Sequence, residues 1–166
     1  MARYFVVTIF LGIIILASCK QGPTENITKT EDQTDSGISK ASLKESLISE
    51  GYQVFDYVDE KSKDTVIMQQ YFIAFLKAGP NRSQSESEAD SLQTLHLAHL
   101  GRMYEEGYAD ISGPFGDDGE IRGITIYNTP TFEMADSLAH LDPMVRAGRL
   151  EIEIHPWWAA KGFGLR

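Results

Sequence analysis

The chain is poor in cysteine and in basic residues. It has one cysteine among 166 residues, so no disulfide can form within it, and its fold must be stabilised by packing or by dimerisation. Its 15 lysines and arginines are outnumbered by 24 aspartates and glutamates, which gives a formal net charge of −9. Nucleic acids and anionic lipids are usually bound by a basic face. We therefore expect no nucleic-acid partner and no membrane surface bound by charge.

Residues 1–18 have the pattern of a signal peptide. Arg3 gives a positive start, residues 5–17 are almost wholly apolar, and small residues precede Cys19. The apolar run is shorter than the roughly 20 residues that a membrane-spanning helix needs. The sequence Leu-Ala-Ser-Cys that ends at Cys19 resembles the bacterial lipobox, which implies a lipid anchor on that cysteine. The lysine that follows favours the outer membrane, facing the periplasm. The alternative is an ordinary signal peptide.

Two segments separate the signal peptide from the main domain. Residues 19–38 are mostly polar and contain only two isoleucines, so they predict a lipidated, flexible tether. Residues 39–64 predict an N-terminal extension that consists of a helix ending at Gly51, a short strand and a charged turn. After the main domain, residues 159–166 are expected to form a surface tail.

The main domain, residues 65–158, has the predicted order β-α-β-β-α-β. This order is typical of the ferredoxin-like α+β fold, in which two helices cover one face of a four-stranded antiparallel sheet. The other face must also be covered, so we predict a homodimer, with Trp157 and Trp158 in its interface. The expected strands are residues 66–76, 108–112, 121–128 and 150–157, and the expected helices are residues 85–106 and 131–140.

Two histidines lie on the apolar face of the long predicted helix. A helical wheel places His96 and His99 in the same arc as Leu92 and Met103, which faces the sheet. Three interpretations stay open: a core histidine bonded to a backbone carbonyl, a metal ligand and an acid–base residue. The i, i+3 spacing differs from that of zinc-binding helices and no cysteine ligand is free, so the metal ligand is the least favoured of the three. We expect no metal and no cofactor.

Asp142 is the candidate carboxylate partner for a histidine. It precedes Pro143, which favours an extended conformation, and it is also a candidate N-cap for the turn formed by residues 143–147. Both roles are compatible if one oxygen caps the turn and the other faces a cavity. Residues 113–120 predict a turn between strands rather than a phosphate-binding loop, because no lysine or helix start follows.

Several of these residues, in this order, resemble the YCII-related (YciI-like) domain family. The resemblance implies a dimeric α+β barrel of ferredoxin-like protomers, with a pocket that contains a His–Asp acid–base pair. One branch of the family resembles dehydrochlorinases of chlorinated hydroxyquinols, and muconolactone isomerases share the fold. The resemblance covers roughly residues 71–158. The pieces that carry it are His99-Leu100, Gly107, Gly113-Pro114-Phe115, Gly123, Ala135, Asp142-Pro143, Ala147-Gly148 and Ile154-His155-Pro156-Trp157.

The resemblance places His99 and Asp142 in the acid–base pair. His96 lies one turn away, so which histidine faces the pocket stays open. The substrate-binding candidates are His96, Gly113, Pro114 and Phe115.

Two functions follow from this pattern. The first is a small enzyme that catalyses proton abstraction, elimination or isomerisation of a small molecule, with His99 as the base and Asp142 as its partner. The second is a non-catalytic module of the cell envelope that binds a small ligand or a partner protein, in which His99 is a core residue.

Overall fold

The computed structural model describes residues 39–165, so the signal peptide, Cys19 and the tether lie outside the described residues. None of the helices in this range is long and apolar enough to cross a membrane. In chain order the elements are α1 (Lys40–Ser49), β1 (Val54–Val58), β2 (Thr65–Ala78), α2 (Glu86–Glu105), β3 (Ala109–Pro114), β4 (Ile121–Tyr127), α3 (Phe132–Ala139), α4 (Pro143–Arg146) and β5 (Leu150–Ala160).

Strand β2 is the central strand of an antiparallel sheet. Its residues 72–77 pair with both β4 and β5, so these two strands lie on opposite edges of β2. Strand β3 pairs with β4, which gives the order β5-β2-β4-β3. With α2 after β2 and the shorter helices after β4, this is the α+β, ferredoxin-like arrangement that the sequence predicts.

The N-terminal extension adds a helix and a strand to this plan. Strand β1 pairs with residues 65–69 of β2. Because Met68 and Gln69 also pair with β5, β1 lies on the same edge of β2 as β4. Helix α1 ends as expected, with Gly51 in the left-handed region at φ +88.

Local signals explain the position of α2, which carries the candidate histidines. Ser85 and Glu88 form a capping box, in which the Ser85 side chain accepts from the Glu88 backbone and the Glu88 side chain accepts from the Ser85 backbone. The helix is followed by Gly107 at φ +78, a conformation that other residues rarely adopt.

Helices α2 and α3 cover one face of the sheet and form the core with it. Phe72 and Ala74 of β2 pack there with Met103 of α2 and Ala135 of α3. The two histidines of α2 are buried on the same side, as predicted, whereas the neighbouring Leu95 is 54% exposed.

The strands differ from the prediction at two ends. Gly113 and Pro114 belong to β3 and pair with β4, so the predicted turn begins only at Phe115. Proline is tolerated because β3 is an edge strand. Strand β5 continues beyond residue 157 to Ala160, where the sequence analysis placed the start of a surface tail.

Candidate functional site

Asp142 lies between α3 and α4, and both of its carboxylate oxygens are used. Its Oδ1 accepts a hydrogen bond of 2.8 Å from the backbone N–H of Met144 and so caps α4. Its Oδ2 accepts a hydrogen bond of 2.6 Å from Nδ1 of His96. One oxygen therefore caps the turn, as the sequence allows, and the other orients a histidine.

The His96–Asp142 pair is shielded from solvent, with His96 8% exposed and Asp142 2% exposed. An ionised carboxylate can only accept hydrogen bonds, so the pair keeps the proton of the neutral ring on Nδ1. Nε2 of His96 then has a free lone pair. This is the nitrogen through which the ring can exchange a proton with another molecule.

A cavity of about 830 Å³ lies against His96. Its walls come from α2, from the β3–β4 hairpin and from the segments that flank β2 and β5, and the volume is in the range of small-molecule sites. The lining includes His96, Leu100, Ser112, Gly113, Pro114 and Met144. Three of the predicted site residues, His96, Gly113 and Pro114, thus line one cavity.

Gly123 lets the two strands of this wall approach each other. A Cβ atom at Gly123 would lie 2.6 Å from the backbone oxygen of Gly113, a distance that side-chain carbons do not adopt. The absence of a side chain at Gly123 therefore sets the spacing of β3 and β4 beside the cavity.

His99 lies deeper in the core, where it is 1% exposed, and it is not among the residues that line the cavity. Its Nδ1 accepts from Nη2 of Arg102 at 3.1 Å. Its Nε2 is buried without a hydrogen bond of good geometry. The nearby Leu138 backbone nevertheless acts to raise the pKa of the ring. Burial lowers the pKa of His99, and the charge of Arg102 acts in the same direction, against the opposing charge of Asp142.

The structure corrects one predicted contact. The family resemblance pairs Asp142 with His99, but the histidine that binds the Asp142 carboxylate is His96, one turn earlier in α2. Asp142 contacts His96 but does not itself line the cavity. Phe115 does not line the cavity either, and it is 45% exposed. The catalytic role of His99 and the substrate contact of Phe115 stay predictions.

The cavity wall contains a set of charged residues that was not predicted from the sequence. Arg82, Arg122 and Arg149 line the cavity, together with one carboxylate, that of Asp110. The three arginines lie in separate parts of the sequence, so no spacing pattern connects them. Within residues 39–165, no three His, Cys, Asp or Glu side chains lie close enough to hold a metal ion.

No protein-family model matches the chain, and no curated protein matches it either, so the resemblance to the YCII-related family stays a prediction. Among solved structures, the chain is similar to 5-chloro-2-hydroxyhydroquinone dehydrochlorinase from Burkholderia phenoliruptrix, in its complex with 2,5-dihydroxybenzoquinone. The identity is 19%, the TM-score is 0.41, and the match covers 52% of this chain and 92% of that one. At these values neither the fold nor the activity of this chain is inferred from the likeness.

Proposed function

We propose that this domain is a small acid–base enzyme, in which Nε2 of His96 takes a proton from a small molecule bound in the cavity. The observation that carries the proposal is the 2.6 Å hydrogen bond between Nδ1 of His96 and the Asp142 carboxylate, behind a ring that lines the cavity. A C–H bond of the ligand breaks, its proton moves to Nε2, and its electron pair stays on the ligand as an enolate. Nε2 then returns the proton to another atom of the ligand, which completes an isomerisation, or the enolate expels a leaving group, which completes an elimination.

Asp142 supports this step in two ways. It holds the ring in the tautomer that leaves Nε2 free, and it stabilises the imidazolium that forms when Nε2 takes the proton. Asp142 is itself fixed, because its second oxygen binds the first turn of α4. The base is therefore positioned before any ligand arrives, and such positioned groups typically contribute about 10²–10⁴-fold to a rate.

Deuterium exchange into enolisable compounds tests the proposal. The purified protein would be incubated in D₂O with a panel of small β-keto acids, hydroxylated aromatic rings and unsaturated lactones, and loss of the C–H signals followed by NMR. We expect exchange in at least one compound and a loss of about 100-fold or more in His96→Gln. His99→Gln is the matched control, since His99 lies one turn away, outside the cavity lining, and should keep the rate within about threefold.

Two outcomes would contradict the proposal. If His99→Gln loses exchange and His96→Gln keeps it, the base is His99 and the geometric assignment is wrong. If compounds bind in the cavity without any exchange that depends on His96, the domain is a non-catalytic binding module, the alternative function that the sequence analysis left open.

We also propose that the chain is an exported lipoprotein, anchored through Cys19 to the outer membrane and facing the periplasm. The support is the sequence Leu-Ala-Ser-Cys after a short apolar run. Metabolic labelling with palmitate in a bacterial host should label the full chain and not Cys19→Ser. Equal labelling of the two would overturn the anchor.

We further propose that two copies associate through the sheet face opposite α2. That face presents Phe75 and Ile124, which are paired and half-buried, and Trp157, which is 41% exposed. Sedimentation should show a dimer that Phe75→Glu dissociates, whereas Ile48→Glu, on the exposed side of α1, should not. A monomeric wild-type protein would refute the dimer.

A further inference from the structure

We infer that the cavity selects organic anions, whose acid group binds at the end of the cavity that the three arginines form. The inference rests on the proposed function, because it names the substrate class for the same site. Its starting point is a contrast of charge: the chain carries a net charge of −9, but its cavity is lined by three arginines and one carboxylate.

The fold brings the three arginines to the same end of the sheet. Arg82 lies in the segment between β2 and α2, and Arg149 immediately precedes β5, whose first residue pairs with the last residue of β2. Arg122 is the second residue of β4, next to the position where Gly123 pairs with both Leu76 and Pro114. Arg122 therefore lies in the last rungs of the sheet, and Arg82 and Arg149 lie just beyond them, at the end where β2 and β3 end and β4 and β5 begin.

The segment that carries Arg82 is fixed against the segment that carries Arg149. Nδ2 of Asn81 donates to the backbone oxygen of Ala147 at 2.9 Å, and Nη1 of Arg149 donates to Oε1 of Gln84 at 3.2 Å. Arg82 lies between these two attachment points, so its backbone position is held although its side chain is exposed.

The positive charges at this end are only weakly neutralised by the protein. The partner of Arg149 is the neutral amide of Gln84. Arg122 lies 3.7 Å from Asp118, whose side chain is fully exposed and so screened by water. Among the residues that the structure describes, the Arg82 guanidinium makes no ion pair or hydrogen bond. The nearby acids Glu120 and Glu153 bind Lys77 instead.

The one carboxylate of the lining is far from this end. Asp110 lies near the start of β3, four residues before Pro114, and a strand rises about 3.3 Å per residue. Asp110 is thus about 13 Å along the strand from the arginine end. The cavity has a positive end and a separate negative side chain, which suits a ligand with an acid group at one end only.

A pair of probes that differ in charge tests the inference. Salicylate and salicylamide have nearly the same shape, but only salicylate is an anion at neutral pH. Their affinities for the purified protein would be measured by ¹H–¹⁵N NMR titration. We expect salicylate to bind about tenfold more tightly, the effect of one charge-assisted hydrogen bond. The preference should shrink when the salt is raised from about 0.05 to about 0.5 M.

The double variant Arg82→Gln/Arg149→Gln should lose this preference and leave salicylamide binding unchanged. Arg146→Gln is the control, because Arg146 is an exposed arginine of α4 that does not line the cavity. Equal affinities for the two probes in the wild-type protein would overturn the inference, and so would a double variant that still prefers salicylate. Thermal melts would show that all variants are folded.

The outcomes separate this inference from the proposed function. If exchange requires His96 but salicylate and salicylamide bind equally well, the acid–base function stands and the anion preference is wrong. If the arginine variants lose the preference but His96→Gln leaves exchange unchanged, the cavity is an anion site and the acid–base function is wrong.

Discussion

Replacing Asp142 with asparagine should damage the chemistry far more than the fold. Asparagine has one side-chain acceptor where aspartate has two, and the structure uses both: Oδ1 for the cap of α4 and Oδ2 for His96. If the amide oxygen keeps the cap, the NH₂ group faces Nδ1 of His96. Nδ1 must then accept, so the ring proton moves to Nε2 and the base loses its free lone pair.

The two effects of this substitution differ in size. Asparagine caps helices about as well as aspartate, so the cap should cost little. One charge-assisted hydrogen bond is replaced by a neutral one, a loss of about 1–1.5 kcal/mol in the free energy of unfolding. Deuterium exchange should fall by about 10²–10⁴-fold, because the base now carries the proton it should accept.

Asp142→Ala is the matched comparison for stability. It removes the cap, worth about 1 kcal/mol, and leaves the buried Nδ1–H of His96 unpaired, which costs about 1–3 kcal/mol. Urea unfolding should therefore rank the wild type above Asp142→Asn and Asp142→Ala last. The reasoning is refuted if the asparagine variant keeps wild-type exchange, or if it loses as much stability as the alanine variant.

Three further predictions follow from the described contacts. Gly123→Ala should lower the free energy of unfolding by about 1–3 kcal/mol, because its Cβ would lie 2.6 Å from the Gly113 oxygen. Gly113→Ala, with open space around its Cβ, should change the free energy of unfolding by less than about 0.5 kcal/mol. Urea unfolding distinguishes the two variants. The pKa of His99 is lowered in the folded chain, so below about pH 6.5 the unfolded chain binds this proton more readily than the folded chain does. The free energy of unfolding should therefore decrease as the pH is lowered through this range, and His99→Gln should reduce the slope. Burial raises the pKa of Tyr71 to about 12, so stability should also fall above about pH 10, less steeply in Tyr71→Phe; an unchanged urea midpoint between pH 9 and about 11 would contradict this.

The elements of the domain could be predicted because their signals are local. Ser85 and Glu88 mark the start of α2, Gly107 marks its end, and β-branched and aromatic residues mark β2. The end of β3 was predicted wrongly because its local signals indicate a turn. Glycine and proline are typical of turns, and only the place of β3 at the sheet edge explains why Gly113 and Pro114 continue the strand.

The choice between the two histidines depends on packing that the sequence does not display. His96 and His99 both lie on the buried face of α2, so periodicity cannot separate them. The position of α4 determines which histidine contacts Asp142. Met144 of α4 packs in a cluster with Leu76 and Leu92. This contact brings Asp142 beside the middle of α2, where His96 lies. The arginine end is likewise a product of tertiary structure, since its three residues come from separate segments.

The ring tautomers of the two histidines test the central claim most directly. Long-range ¹H–¹⁵N NMR of the ¹⁵N-labelled protein, recorded near pH 8 where an ordinary histidine is neutral, shows which nitrogen carries the proton. The structure predicts opposite tautomers: Nδ1–H for His96, which donates to Asp142, and Nε2–H for His99, whose Nδ1 accepts from Arg102. A spectrum in which His96 carries its proton on Nε2 would contradict the account, because the cavity would then face a donor and not a base.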